Sequence, residues 1–353
     1  SARLSVSNQR EVLLDVTRFL LRRLASSMVV LGGVSVIVFL LARFIPTDVA
    51  AMYIGPRARA EDIERVREQL GLNEGLLTQY LVYMRDMLQG DWGTSIATKQ
   101  PVVGEILGRL PASLELIVAA MLIALPLGLA LGVLSARWYG RPVDVGVRVV
   151  SIIGVSLPAF FLGILLQIVF FRSLDLLPLS GRVDSDLRFT SPIDEVTGLY
   201  LIDAILTANW TAVQDVAWHL ILPAITLAAY PIGLITRMTR SSMLETLGKD
   251  YIRTARAYGL RERLIVSRLA LRNALVPVLT VIGLTLAYLI TGTFYVEVVF
   301  GWPGLGTFAV KSILATDYPA IMGIALFGAA AYVVINLVVD LAQAWVDPRI
   351  RLS

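Results

Sequence analysis

A chain with a single histidine, His219, and no cysteine has few routes to covalent or metal chemistry. Thiol catalysis, disulfides, Cys-ligated zinc and iron–sulfur clusters are excluded within it. No His-Glu-x-x-His run occurs, so no zincin-type metal site is implied. His219 opens an apolar stretch, where an interfacial or packed histidine is the expected reading, and nothing in the spacing supports a His–Ser–Asp arrangement. Gly248-Lys249 has the ending of a phosphate-cradling loop. Met243 stands where that loop needs its first glycine, however, and Asp250 where it needs Ser or Thr. The run Gly301-Trp302-Pro303-Gly304-Leu305-Gly306 has the wrong spacing for a dinucleotide fingerprint and no βαβ pattern around it. No catalytic, cofactor-binding or metal-binding residue is therefore expected.

What remains is charge, and it is densest in Leu244–Pro277, LETLGKDYIRTARAYGLRERLIVSRLALRNALVP. Ile252, Ala255 and Tyr258-Gly259 recur at near-helical spacing, and Glu262 to Leu271 is a second helical run with Leu264, Ile265, Leu269 and Leu271 among arginines. Gly259 between the runs suits the turn that two short helices need. From the residues alone, this amphipathic projection serves equally well as a docking element for a protein partner or as a helix lying on anionic lipid.

The elements that must position it are membrane spans. Of 353 residues, 56% are hydrophobic and 16% charged, more apolar mass than a soluble core of this size requires. Six stretches are long enough to cross a hydrocarbon core, which takes roughly 20 helical residues: 24–44, 111–136, 145–171, 217–236, 274–296 and 319–345. The first is longer than the apolar core of a cleaved signal and lacks a small-x-small exit. Pro126, Pro158, Pro223 and Pro231 fall inside spans and are expected to kink them.

Charge alternates between the spans. The 4–5 loop holds Arg237, Arg240, Lys249, Arg253, Arg256, Arg261, Arg263, Arg268 and Arg272 against Glu245, Asp250 and Glu262. The 3–4 loop holds Arg172, Arg182 and Arg188 against Asp175, Asp184, Asp186, Asp194, Glu195, Asp203 and Asp215. The positive-inside rule places 1–23, the basic loop at about 244–273 and the tail 346–353 in the cytoplasm, and the acidic loop and 45–110 outside. Within 45–110, Ala60–Leu70 reads as a short helix stopped at Gly71-Leu72-Asn73, and Leu77–Leu88 as a second, ended at Gly90-Asp91. A net charge of +4 is too small to imply nucleic acid. No intramembrane charge marks a substrate site: Glu115, Glu297 and Asp340 sit at span ends, where interfacial residues are expected.

The basic segment resembles the cytoplasmic "EAA" loop of ABC importer permeases, in the variant of the dipeptide/oligopeptide/nickel group. The matching runs are Thr254-Ala255-Arg256-Ala257-Tyr258-Gly259-Leu260 and Arg272-Asn273-Ala274-Leu275-Val276-Pro277. Arg253 replaces the general Glu and Arg272 the closing Pro, as in the peptide-type subgroup. The resemblance runs nearly the whole chain. It includes Arg22-Arg23-Leu24, Ile45-Pro46-Thr47-Asp48 (with Thr47 for the usual Gly), Gly90-Asp91-Trp92-Gly93-Thr94-Ser95 and Arg109–Leu116. It continues through Ser156–Phe161, Leu177–Arg182, Thr197–Tyr200, His219–Ala224 and Val296–Gly306, in the manner of the "B" member of the permease pair.

The resemblance implies an all-α polytopic bundle of about six transmembrane helices, a type I ABC importer permease fold, with an extracytoplasmic domain at 45–110 and the transmembrane domain at 111–345. It implies half of the translocation path for di- or oligopeptides, or for nickel or another small solute, in the bacterial cytoplasmic membrane. A stand-alone secondary transporter is the alternative from another class; it would need a mid-membrane coupling carboxylate and related halves, and neither is seen. The implied partners are a second homologous permease, two ABC ATPases that bind the ATP and magnesium, and an extracytoplasmic substrate-binding protein. Thr254, Ala255, Arg256, Ala257, Gly259 and Leu260 would form the ATPase-coupling loop.

Overall fold

The computed structural model describes residues 2–44, 49–54, 59–69 and 71–346, and the regular elements among them are all helices, with no strand. Ile45-Pro46-Thr47-Asp48, Leu70 and the tail from 347 lie outside the described residues. Among the described residues five helices are long and apolar enough to cross a membrane, six spans in all if the bent pair is counted as one, so the chain is a multi-pass membrane protein. It divides into two units, one of Ser1–Leu110 with Phe308–Val333, the other of Pro111–Thr307 with Val334 onward.

In the first unit, α1 (Ala2–Phe44) carries the span Ala25–Phe44. The short helices α2 (Val49–Ile54) and α3 (Ala60–Gln69) follow, then α4 (Leu76–Leu88). The two helices expected between residues 60 and 88 are thus present, within a residue of their expected ends. Helix α4 rests on α1 through aromatic contact: Phe39 is buried, with the Tyr80 and Tyr83 rings 5.4 and 5.8 Å away. A turn after α4 is tied by buried Asp317, which accepts from the Ser95 hydroxyl at 2.5 Å and the Ala97 amide at 3.1 Å.

The second unit is organised around α10 (Trp210–Leu247). The apolar window of this helix is 67% buried, against 17–33% for the other spans. It therefore sits at the centre, and the others present apolar faces outward to lipid or to partners. Helices α5 (Val102–Arg137), α6 (Pro142–Ser156), α7 (Ala159–Leu166, continued by a wide π-type turn Gln167–Ser173) and α13 (Leu271–Val299) surround it. Small residues let the backbones approach. A Cβ on Gly132 of α5 would sit 2.8 Å from the Thr236 carbonyl, and one on Gly233 would sit 2.6 Å from the Ser151 carbonyl. The acidic loop contains α8 (Leu187–Thr190) and α9 (Tyr200–Leu206). After α10 come α11 (Asp250–Ala257) and α12 (Glu262–Leu264), and α14 (Leu305–Leu314) and α15 (Tyr318–Val346) close the chain.

Three features differ from the sequence expectation. The span expected at 145–171 is two helices, α6 and α7, bent by 109°. Leu157 is extended (φ −78°, ψ 128°) because Pro158 excludes the residue before it from the helical region. Pro126, Pro223 and Pro231 lie inside helices that continue past them, where packed neighbours hold the backbone. The span expected from residue 111 belongs to a helix that begins at Val102. The second helical run of the basic loop is no separate helix: Glu262–Leu264 passes through a π-type turn, Ile265–Ala270, straight into α13.

Candidate functional site

At the basic end of the second unit, α10 stops at Leu247 and the chain reverses through extended Lys249 into α11. The periodicity of α11 decides which face it buries. Ile252 and Ala255, one turn apart, are buried against Ala136, Met243, Ile265, Val266, Ala270 and Ala274. Burying one such isoleucine stabilises by about 1.5–3 kcal/mol, enough to hold a two-turn helix on a platform but not to form it alone. Gly259 leaves the helix at φ +75° with open space where a Cβ would stand, so the turn needs glycine for its backbone angle and not for room. The Arg256 guanidinium spans this turn, donating to Glu262 at 3.2 and 2.8 Å, and holds the Glu262 carboxyl below its usual range. Tyr251 is positioned from α13 by Asn273, whose amide donates to the Tyr251 hydroxyl at 2.8 Å.

The sequence-selected residues therefore divide. Ala255 faces inward, while Thr254, Arg256, Ala257, Gly259 and Leu260 are exposed. Beside them Tyr258 is 83% exposed, with Tyr251, Leu260 and Leu264 also in the open. Apolar and basic side chains thus share one outward surface on a rigid base, which suits docking and offers no reactive group.

The acidic end is built from buried carboxylates. Glu115 and Glu297, expected as interfacial residues, are buried, whereas Asp340 is half-buried. The reason is tertiary: each of the two glutamates meets donors brought from far along the chain. Glu115 takes Arg182 at 2.9 and 2.7 Å and the Leu201 amide at 2.8 Å. Glu297 takes the Ser113 hydroxyl at 2.6 Å and the Gly306 and Thr307 amides at 2.7 and 3.1 Å. A Cβ on Gly304 would collide with that carboxylate, so the glycine-rich run wraps Glu297 because it lacks side chains there. Burial pushes Asp203 up, but hydrogen bonds from Thr197 and Gly198 outweigh it and hold the carboxyl below its usual range. His219 is packed, its Nδ1 2.9 Å from the Asp215 carbonyl oxygen.

Sequence reasoning missed a third cluster. Asp144, the one acid among Arg137, Arg141 and Arg148 between the second and third apolar stretches, is buried and accepts from Ser135 at 2.5 Å and Arg240 at 2.7 and 3.0 Å. Its isolation among arginines was the available signal.

The sequence pattern of the binding-protein-dependent transport system inner membrane component matches residues 128–352, and the pattern of the N-terminal part of such membrane components matches 16–117. The chain is 47% identical over 323 residues to the probable D,D-dipeptide transport system permease protein DdpB of Escherichia coli, covering 92% of this chain and 94% of the relative. It is 41% identical over 338 residues to the di/tripeptide transport system permease protein DppB of Pseudomonas aeruginosa, covering 94% and 98%. It is 39% identical over 333 residues to the dipeptide transport system permease protein DppB of Alkalihalophilus pseudofirmus, covering 94% and 99%.

Proposed function

The chain belongs to the family of binding-protein-dependent transport system inner membrane components, and on that premise we propose that it is a permease subunit forming half of the path for di- or oligopeptides in an ATP-driven importer. The observation that carries this reading is the outward surface of α11 and its Gly259 turn, set on a buried platform continuous with α10 and α13. A packed joint moves as a unit, so force applied at the exposed face passes to α10 and α13 instead of dissipating in a loop. The chain supplies path and lever. ATP and magnesium are bound by two partner ATPases, a second homologous permease supplies the other half of the path, and an extracytoplasmic binding protein delivers the peptide. The membrane is the bacterial cytoplasmic one, with both termini and the α11 loop inside, as the clustering of basic residues argues.

The test is purification of the tagged full chain from its own cells in mild detergent. A second permease and ATPase subunits are expected to accompany it, and the complex to hydrolyse ATP faster when binding protein and a dipeptide are added. Tight ATP binding by the chain stripped of its partners would sink the proposal. Orientation is read independently. Because the chain has no cysteine, an Asp194→Cys variant is expected to react with an impermeant thiol reagent from outside, and an Arg261→Cys variant to stay protected.

A further inference from the structure

The α6–α10 cavity at the basic end has no part in the coupling described above. It measures about 290 Å³ and is lined by Arg148, Arg237 and Arg240, by hydroxyls including that of Thr236, and by apolar Ile152 and Val155. One carboxylate, Asp144, serves this cluster, and it is already used: Arg240 engages it through two nitrogens, and Arg148 reaches it only at 3.7 Å. Arg237 makes no ion pair among the described residues. Arg237 therefore lines the cavity without an acidic partner among the described residues and Arg148 only shares one with Arg240, so three guanidinium groups face a single carboxylate, and Arg stays charged at any physiological pH.

A second observation points the same way. Thr236 is 2% exposed, lines the cavity, and its hydroxyl has no hydrogen-bond partner. Thr226 on the same helix satisfies its own hydroxyl on the Leu222 carbonyl four residues back, at 2.8 Å. A buried hydroxyl left open beside two cations is set to donate to an oxyanion. The surroundings specify the body that carries the oxyanion. Ile152 lines the cavity yet is 61% exposed, so the site opens onto an apolar face. Trp138 and Tyr139 flank this end, with Arg141 and Arg240 over their rings at 5.2 and 5.3 Å, an arrangement suited to headgroup depth.

We propose that this cavity binds the phosphate of an acidic phospholipid, with Arg148 and Arg237 as cationic contacts, the Thr236 hydroxyl as donor, and Ile152 against the first carbons of the acyl chains. A peptide carboxylate is the other source of the same oxyanion chemistry, and the experiment separates the two.

The full chain, purified with its co-purifying subunits and stripped of lipid in detergent, is titrated with phosphatidylglycerol or phosphatidylcholine, and retained lipid is read by native mass spectrometry. Phosphatidylglycerol is expected to be retained in preference to phosphatidylcholine. The Arg148→Ala/Arg237→Ala variant should weaken that retention by about fivefold per arginine. Both arginines are exposed, so the variant should fold; Arg148→Lys/Arg237→Lys, which keeps the charge, should restore most of the retention and guards against loss of yield. Arg263→Ala, an exposed arginine outside the cavity, should leave lipid retention unchanged. Equal retention of the two lipids, or undiminished phosphatidylglycerol on the alanine variant, overturns the proposal. Displacement of phosphatidylglycerol by Ala-Ala dipeptide, but not by inorganic phosphate, reassigns the cavity to a peptide carboxylate and overturns it equally.

Discussion

Two arginine–glutamate pairs in the second unit have nearly the same hydrogen-bond geometry and opposite settings. Arg182 meets Glu115 at 2.9 and 2.7 Å with their side chains 6% and 5% exposed. Arg256 meets Glu262 at 3.2 and 2.8 Å with theirs 45% and 49% exposed. Distance alone would rank them alike, but burial separates them. The first pair has no water to fall back on, so removing one partner strands the other. The second is screened by solvent and holds only a turn. The acidic end is accordingly a lock made of satisfied buried charges, and the basic end is a surface whose exposed groups are held for contact with something outside the chain.

The comparison breaks or sharpens by substitution. Arg182→Ala leaves Glu115 buried without its cation and should cost about 3–5 kcal/mol, read as a fall in thermal stability in detergent and in yield from membranes. Unaltered stability would show that water reaches the pair. Ala255→Glu comes next. Ala255 packs on its own chain's platform, so the added charge should dislodge α11 at a cost of about 1–3 kcal/mol or more, with loss of ATPase retention while the spans still insert. Retained coupling in that variant would mean that the platform does not carry the joint. Gly259→Val asks a β-branched residue to hold φ +75°, a strain of about 1–3 kcal/mol confined to the turn. Dipeptide-stimulated ATP hydrolysis should fall sharply with overall thermal stability nearly unchanged. A normal stimulated rate would instead favour a helix resting on lipid.

The smallest effect belongs to Arg256→Ala, below about 1 kcal/mol for an exposed pair. Acid should mimic it. A carboxylate whose pKa is depressed on folding stabilises the fold above its unfolded pKa of about 4.3, and that contribution is lost as pH falls through the lower folded value. The protection factor at Tyr258–Leu260, exchange being corrected for its intrinsic slowing in acid, should therefore fall on acidification in the wild type and be low already in Arg256→Ala. Identical exchange in the two proteins at neutral pH would show that the pair does not order the turn.

Much of this was legible in the chain. Runs of apolar residues of membrane-crossing length located the spans, because helix rise and bilayer thickness are fixed and local. The near-helical recurrence of Ile252 and Ala255 marked α11, and Gly259 marked its turn, because both signals lie within a few residues of each other. The direction in which Ala255 faces was not legible. Periodicity says that two residues share a face, not whether that face meets its own chain or a partner.

Proline shows the same boundary. Of the prolines inside apolar stretches, Pro158 stands at the break of its span into α6 and α7, while Pro126, Pro223, Pro231 and Pro277 stay within helices. Each removes a backbone donor, and whether the helix survives depends on what packs around it. The carboxylates are the clearest case. By itself the sequence determined that Glu115, Glu297 and Asp144 lie near the ends of spans and that the basic residues gather at one side. Only the tertiary structure decided that all three acids are buried. Their partners stand 67 residues away for Glu115 and Arg182, 184 for Glu297 and Ser113, and 96 for Asp144 and Arg240. A charge can leave water only where such donors converge on it, and no local pattern announces that convergence.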